Sequence, residues 1–171
     1  MIRNACYQDL DEIMAVIDDA KQLLKMSESD QWQDTDGYPN KKTFNEDLEL
    51  NHVYVLIEED VIAGVIVLSF AHEDAYDVID GEWKYKTYSV IHRLAVKNGY
   101  YGRKIGYRLI EHCVKETKKQ KVESIRVDTH EKNKTMQILL EKTGFVNCGI
   151  IYLLRKDVLN NKRIAFELKV K

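Results

Sequence analysis

The sequence predicts an α/β fold, a mixed central sheet of about six to seven strands flanked by about four helices. Three features lead there. The runs His52 to Ile57 and Val61 to Phe70 are apolar and β-branched, and Glu58-Glu59-Asp60 between them reads as a hairpin turn. Their near-continuous apolarity suits strands at the centre of a sheet. Later, a strand pattern over Tyr88 to Val96 runs through a glycine-bearing loop into a helical pattern, and a further strand follows. Amphipathic helical periodicity fills other stretches between strands.

Ile2 to Ala5 is a short first strand. Asp9 precedes a helix in which Leu10, Ile13, Met14, Ile17, Ala20 and Leu24 keep a helical period. Gly37 and Pro39, the one proline, mark Ser27 to Asn40 as a loop. Phe44 and Leu48 fit a second helix over Lys41 to Leu50. Ala71 to Lys86, after the hairpin, reads as an acidic and irregular connection. After Val96 the order is helix (Lys104 to about Lys118), strand (Glu123 to Thr129), helix (Asn133 to Thr143) and strand (Phe145 to Leu154). A last strand, Arg163 to Val170, follows a polar turn at Asn160-Asn161. Ile105, Leu109, Val114 and Thr117 share a face of the third helix. Met136, Leu139 and Leu140 form the buried stripe of the fourth, and Gly144 suits its C-cap. No repeat, low-complexity segment or linker interrupts residues 1–171, which read as one domain.

At 171 residues the chain can build a single sizeable core. A net charge of -2 gives no pull towards nucleic acid, and no apolar run approaches a membrane span. The Met-Ile-Arg-Asn-Ala start, followed by polar residues, is no signal peptide. Cys6, Cys113 and Cys148 are odd in number and lack metal or redox spacing, so buried, reduced thiols in a cytoplasmic protein are expected. His52, His72, His92, His112 and His130 show no ligand-like pairing, so no metal is expected.

The stretch Arg93-Leu-Ala-Val-Lys-Asn-Gly-Tyr-Tyr-Gly-Arg-Lys-Ile-Gly106 carries the chemistry. A strand feeding a tight turn at a helix N-terminus presents free backbone N–H groups, and the helix dipole favours negative charge there. Lys97, Arg103, Lys104 and Arg108 add cationic side chains. A phosphate or pyrophosphate is the ligand these features suggest. Glycines at 99, 102 and 106 match neither Gly-x-Gly-x-x-Gly nor a P-loop.

Aligned on its last glycine, Tyr101-Gly-Arg-Lys-Ile-Gly106 resembles the acetyl-CoA loop of the GNAT N-acetyltransferases, Gln/Arg-x-x-Gly-x-Gly/Ala, entered from a strand often reading Leu-Ala-Val. Tyr101 stands at the Gln/Arg position and Lys104 at the middle glycine. Asn133-Lys-Thr-Met-Gln-Ile-Leu-Leu-Glu-Lys-Thr-Gly-Phe145 is similar to the family's Asn-x-x-Ala…Gly-Phe helix. The resemblance implies a GNAT-like, mostly antiparallel sheet and acetyl-CoA as co-substrate. It assigns the pyrophosphate to backbone N–H groups of Tyr101, Gly102, Arg103, Lys104, Ile105, Gly106 and Tyr107, with Lys104 the first helical residue. It also implies that the Val90–Val96 strand splays from its neighbour. Leu94 would then donate its N–H towards the acetyl oxygen, Val96 would pair with pantetheine, and Ala95 lies between them. Asn133 caps its helix, touches the cofactor, or does both.

Strict alternation along this strand puts Val90, His92, Leu94 and Val96 on one face. His92 is then aimed at the reacting carbonyl, as a general base or as a hydrogen-bonded core histidine. Glu82 is an alternative base. The family pattern often has a Tyr acid four residues before the Gly of Gly-Phe; Leu140 stands there, which leaves Tyr152 as a candidate donor. Trp32 and Tyr38 line an acceptor pocket or cover a core edge. The acidic run Glu73, Asp74, Asp77, Asp80 and Glu82 attracts a cationic amine or is a solvated loop. The expected function is transfer of acetyl from acetyl-CoA to a small-molecule or peptide amine, in a protein that the family's habits suggest dimerises through its C-terminal strands. The rival expectation is a non-catalytic acyl-CoA-binding module.

Overall fold

The structure, a computed structural model, describes residues 1–156 and 158–170. Its elements are β1 (Ile2–Asn4), α1 (Leu10–Met26), α2 (Lys41–Glu49), β2 (Val53–Glu58), β3 (Val61–Ser69), β4 (Asp80–Gly81), β5 (Tyr88–Val96), α3 (Ile105–Lys119), β6 (Ser124–Thr129), α4 (Lys134–Lys142), β7 (Val146–Tyr152) and β8 (Lys162–Lys169). They form one eight-stranded sheet in the order β1-β2-β3-β5-β6-β8-β7-β4. Only β5 and β6 run parallel. The expectation of six to seven strands is one short. The extra strand is β4, two residues in the connection read as irregular, pairing with Gly149 and Ile150 of β7. So short a ladder leaves no period for a sequence pattern to reveal.

The β2–β3 turn follows from its backbone. Glu59 and Asp60 both take positive φ, 53° and 60°, the mirror-image turn whose twist matches that of paired strands. Thr43 and Asn40 cap α2 reciprocally: Asn40 Oδ1 accepts the Thr43 N–H at 3.1 Å, and Thr43 Oγ1 accepts the Asn40 N–H at 3.2 Å. Asn133 Oδ1 accepts the Met136 N–H at 3.2 Å and caps α4. The helices cover both faces. Ile105, Leu109, Ile110 and Cys113 of α3, with Leu140 of α4, pack on Ile66, Leu68, Ile91, Ile125 and Phe166. On the opposite face Ile13, Val16 and Ile17 of α1 and Phe44 of α2 pack on Val53, Val55, Val65 and Val67. Cys113 and Cys148 are buried, but Cys6 is exposed, contrary to expectation, because it lies in the turn between β1 and α1. No helix among the described residues is long and apolar enough to cross a membrane.

Two features of β5 shape the centre. Its parallel ladder with β6 holds only Tyr88↔Ser124, Ser89↔Ile125 and Val90↔Arg126, after which the strands part. Against β3, Val67 pairs with His92 and Val65 with Ala95, so Arg93 and Leu94 together face Ile66. That is a β-bulge, and Arg93 takes a φ of +51°. The bulge overturns strict alternation. Ile91, Leu94 and Val96 pack on the α3 side, and Ala95 on the α1 side. His92 and Leu94 therefore fall on opposite faces, not one.

The far half of the sheet is tied by a buried ion pair. Glu167 accepts from Arg126 Nε at 3.1 Å, Ser124 Oγ at 2.9 Å and the Lys84 N–H at 2.7 Å. The Arg126 guanidinium is stacked between Trp83 and Tyr88, 4.3 and 3.9 Å from their ring centroids. Glu167→Ala removes the counter-charge of buried Arg126, which keeps only the Tyr85 carbonyl and its two rings, and the partner of the Lys84 N–H, so it should cost about 3 kcal/mol of stability in urea unfolding.

Candidate active site

Where β5 leaves β6, the sheet opens into a cleft of about 780 Å³. The unpaired β5 edge from Ile91 to Val96 lines one wall and Val127, Asp128 and Thr129 of β6 the other. Met136 and Leu139 of α4 close one side. Trp32 and Tyr38, from the loop after α1, and Leu154 and Arg155, after β7, close the opposite end.

A cluster of titratable groups faces this space. Tyr76 donates its hydroxyl to Asp128 Oδ2 at 2.7 Å, and Glu73 Oε2 lies 3.6 Å from His92 Nε2. Burial, then the charge of Asp128, pushes the Glu73 carboxyl above its usual range, against a pull from Arg93. Burial likewise raises Asp128, against the Tyr76 hydrogen bond and the charge of Arg163. Burial, helped by the charge of Arg93 and by His52 when it is protonated, lowers His92 to about 3. Its side chain keeps 23 % of its surface open, which moderates the fall, but the ring is neutral at pH 7. The arrangement can hold an ammonium group, and it offers a carboxylate of raised basicity to take up a proton.

The bulge that exposes this edge is locked from behind. Asp47 of α2 accepts from Arg93 Nε at 2.8 Å and Nη2 at 2.7 Å, and the Tyr38 hydroxyl accepts from Nη1 at 2.8 Å. Arg155 stacks on the Tyr38 ring at 3.7 Å and pairs with Asp34 at 2.7 Å.

Beyond Tyr101 the chain turns into α3. Gly102 has a φ of +79°, and Lys104, the N-cap, has φ 59° and ψ 26°. Lys104 is thus left-handed and outside the helix, not its first helical residue. Its side chain makes no cap, so the first N–H groups of α3 have neither intrahelical nor capping partners. Two of the expected cations are already neutralised. Arg103 pairs with Glu59 at 3.0 Å and Arg108 with Glu58 at 3.6 Å, both on the β2–β3 hairpin. Gly106 is fixed by close approach: a Cβ there would sit 2.8 Å from Leu139 Cδ2.

The family model for GNAT acetyltransferases matches residues 17–145. The chain belongs to the GNAT acetyltransferase family. A GNAT acetyltransferase structure from Streptococcus agalactiae is 34 % identical, with TM-score 0.85, covering 100 % of this chain and 95 % of its own. The fold is shared by a GNAT acetyltransferase from Listeria monocytogenes (22 % identity, TM-score 0.73, 99 % and 94 % covered) and by the ribosomal-protein-S18-alanine N-acetyltransferase of Escherichia coli (18 %, 0.68, 100 % and 94 %). No protein of curated function matches the chain.

Against the GNAT pattern, the cleft brings together His92, Leu94, Ala95, Val96, Tyr101, Asn133, Trp32 and Tyr38. Gly102, Arg103, Lys104, Ile105, Gly106 and Tyr107 follow at its end without lining it; Ile105 and Gly106 are buried against the core. Asn133, besides capping α4, donates Nδ2 to Gln31 Oε1 at 3.2 Å. Tyr152 and Glu82 are not brought to the cleft. Tyr152 is half-exposed on β7, and Glu82 follows β4 at the sheet's outer edge, its N–H on the Cys148 carbonyl at 2.9 Å. Leu140, at the family's tyrosine position, is fully buried in the core. The sequence reading missed Tyr76 and Asp128 and left Glu73 within an acidic run that either attracts a cationic amine or is a solvated loop. The one signal was acidity near a strand of known role.

Two outcomes follow from these backbones and charges. Lys104→Gly removes a left-handed side chain and should raise stability by about 0.5–1 kcal/mol in urea unfolding, less the entropy that glycine adds to the unfolded chain. His92 binds its proton more weakly folded than unfolded, so its contribution to stability is lost as pH falls below about 6.5. Glu73, with a raised folded value, contributes in the opposite sense. His92→Asn should flatten the decline of the urea midpoint between pH 7 and pH 4, and an unchanged slope would place the ring in water.

Proposed function

We propose that the protein transfers an acetyl group from acetyl-CoA to the primary amine of a small molecule or peptide, by direct attack of the amine on the thioester. The observation that carries this is the bare β5 edge, Ile91 to Val96, running past the Glu73–His92 pair to the open N-terminus of α3. An extended edge of peptide groups fits the amide-bearing pantetheine arm. Backbone N–H groups at a helix start fit a pyrophosphate. The cleft volume, about 780 Å³, is of ligand size.

Acetyl-CoA supplies an acyl thioester, whose C–S bond is exchanged for a C–N bond. Leu94, in the bulge, offers its N–H to the carbonyl oxygen as negative charge grows there. Glu73 takes the proton that the ammonium must lose, a task its raised pKa suits. Neutral His92 accepts a hydrogen bond beside it and adds no repelling charge. No side chain is required to protonate the departing sulfur, because a thiol of pKa about 8.5 leaves tolerably as thiolate and takes a proton from water. That agrees with Leu140 being core.

A panel of amines, polyamines, amino acids and peptides, scored for amine-dependent release of free CoA, tests the reading. Glu73→Gln should lower kcat by about 10²–10³-fold and leave calorimetric affinity for acetyl-CoA intact. Tight acetyl-CoA binding with no release by any amine would favour a binding module instead.

A further inference from the structure

The chain has seven arginines. Six reach a carboxylate within 4.0 Å: Arg3 with Asp9, Arg93 with Asp47, Arg103 with Glu59, Arg108 with Glu58, Arg126 with Glu167, and Arg155 with Asp34. Arg163 is the exception among the described residues, and it is one of the most buried, at 4 % exposure. Its Nη1 donates to the carbonyls of Asn160 and Lys162 at 2.7 and 2.8 Å. Those bonds satisfy two N–H directions, but no carboxylate pairs directly with the charge, and a buried cation is costly without a close counter-charge.

Arg163 lines the cleft. On β8 it stands two residues from Ala165, which pairs with Asp128 of β6 and packs with Tyr76 and Val90. Residues two apart share a sheet face, so Arg163 lies on the same face as Asp128 and the cluster around it. Asp128, Asp30 and Asp34 are near enough to act on Arg163 electrostatically, against the charge of Arg155, yet none of them comes within ion-pair distance of it. Along this wall the order is therefore a carboxylate with its histidine (Glu73, His92), a second carboxylate held by Tyr76 (Asp128), and an unpaired guanidinium.

We propose that Arg163 binds a carboxylate of the acceptor, so that the substrate is a small amine bearing a carboxylate, of the amino-acid type. Its ammonium lies between Asp128 and Glu73 and its carboxylate on the guanidinium. The inference rests on the acetyl-transfer reading above and narrows its acceptor. The same charge pattern disfavours a polyamine, whose second ammonium would meet Arg163. It also gives the buried cation a directly hydrogen-bonded carboxylate, which the protein's own aspartates, acting from beyond ion-pair distance, do not supply. A purely structural Arg163, pinning the chain before β8 by its two carbonyl bonds, makes no distinction between acceptors.

The test uses the full chain with acetyl-CoA and measures CoA release for amino acids, the matching carboxamides, and polyamines. The wild-type protein should prefer each acid over its carboxamide by roughly 10²-fold in kcat/KM, chiefly through KM. Arg163→Gln should erase that preference by raising KM for the acids while leaving the carboxamides unchanged, and Arg163→Lys should restore part of it. Equal use of acid and carboxamide by the wild-type protein, a preference for polyamines, or an Arg163→Gln loss shared equally by both series overturns the proposal. The wild-type comparison stands even where a variant does not fold. Calorimetry with acetyl-CoA separates the levels: binding without an acid preference removes the carboxylate subsite alone, whereas no binding removes the acetyl-transfer reading as well.

Discussion

Arg93 holds the centre of this molecule open. Its left-handed backbone, at φ +51°, is a conformation that costs a β-strand residue roughly 1 kcal/mol or more. The guanidinium offsets that cost through three bonds, two to Asp47 and one to Tyr38, in a site where both charges are nearly buried. The bulge so fixed re-aims β5 just where its ladder with β6 has run out. Without it, Leu94 would stay on the face of His92 and the strand would have no reason to leave its parallel partner.

The two ends of the cleft differ in how charge is used. Towards α3 the available positive potential is mostly backbone: N–H groups of an uncapped helix start, with Arg103 and Arg108 spent on Glu59 and Glu58. Towards the sheet's far half the charges are side chains held in low dielectric, where each changes its neighbours' proton affinity. Burial raises both Glu73 and Asp128, the charge of Asp128 raises Glu73 further, and Arg93 and Arg163 pull them back, Arg93 on Glu73 and Arg163 on Asp128. A carboxylate left with raised basicity beside an imidazole kept neutral is the arrangement a proton-accepting step needs.

Much of this was legible in the sequence, and the failures share a cause. Tyr88–Val96 was bounded correctly because it combines β-branched residues with glycine punctuation. The helices were found because each carries an apolar stripe. The bulge was not legible, since an arginine carries no mark of positive φ; only Asp47 and Tyr38, 46 and 55 residues away in sequence, hold it there. Lys104 misled for the same reason. The Glu73–Tyr76–Asp128 cluster needs two segments 52 residues apart to meet, and on paper Glu73 looked like one acid among several. Tyr152 and Glu82 were chosen by residue type, which says nothing about which sheet edge a side chain occupies.

The loop after α1, which closes one end of the cleft, is joined to the frame by bonds of unequal strength. Asp34 is almost fully buried and takes both Arg155 and the Leu159 N–H, so it anchors firmly. The buried His130 also pairs with Asp30, and Lys21 donates to the Gly37 and Pro39 carbonyls at 2.7 and 2.9 Å, whereas the ties of Lys132 to the Glu28 carbonyl at 3.1 Å and of Asn133 to Gln31 at 3.2 Å are exposed or half-buried and cheap to break. Tyr38 belongs to this loop, so a segment that lines the cleft also completes the lock on the bulge. Changes at Gln31 can therefore alter the cleft at little cost to stability, whereas Trp32 also packs on the α1-side core. Changes at Tyr38 act on both the cleft and the strand that forms its wall, which ties the shape of that end to the geometry of β5 through a single phenol.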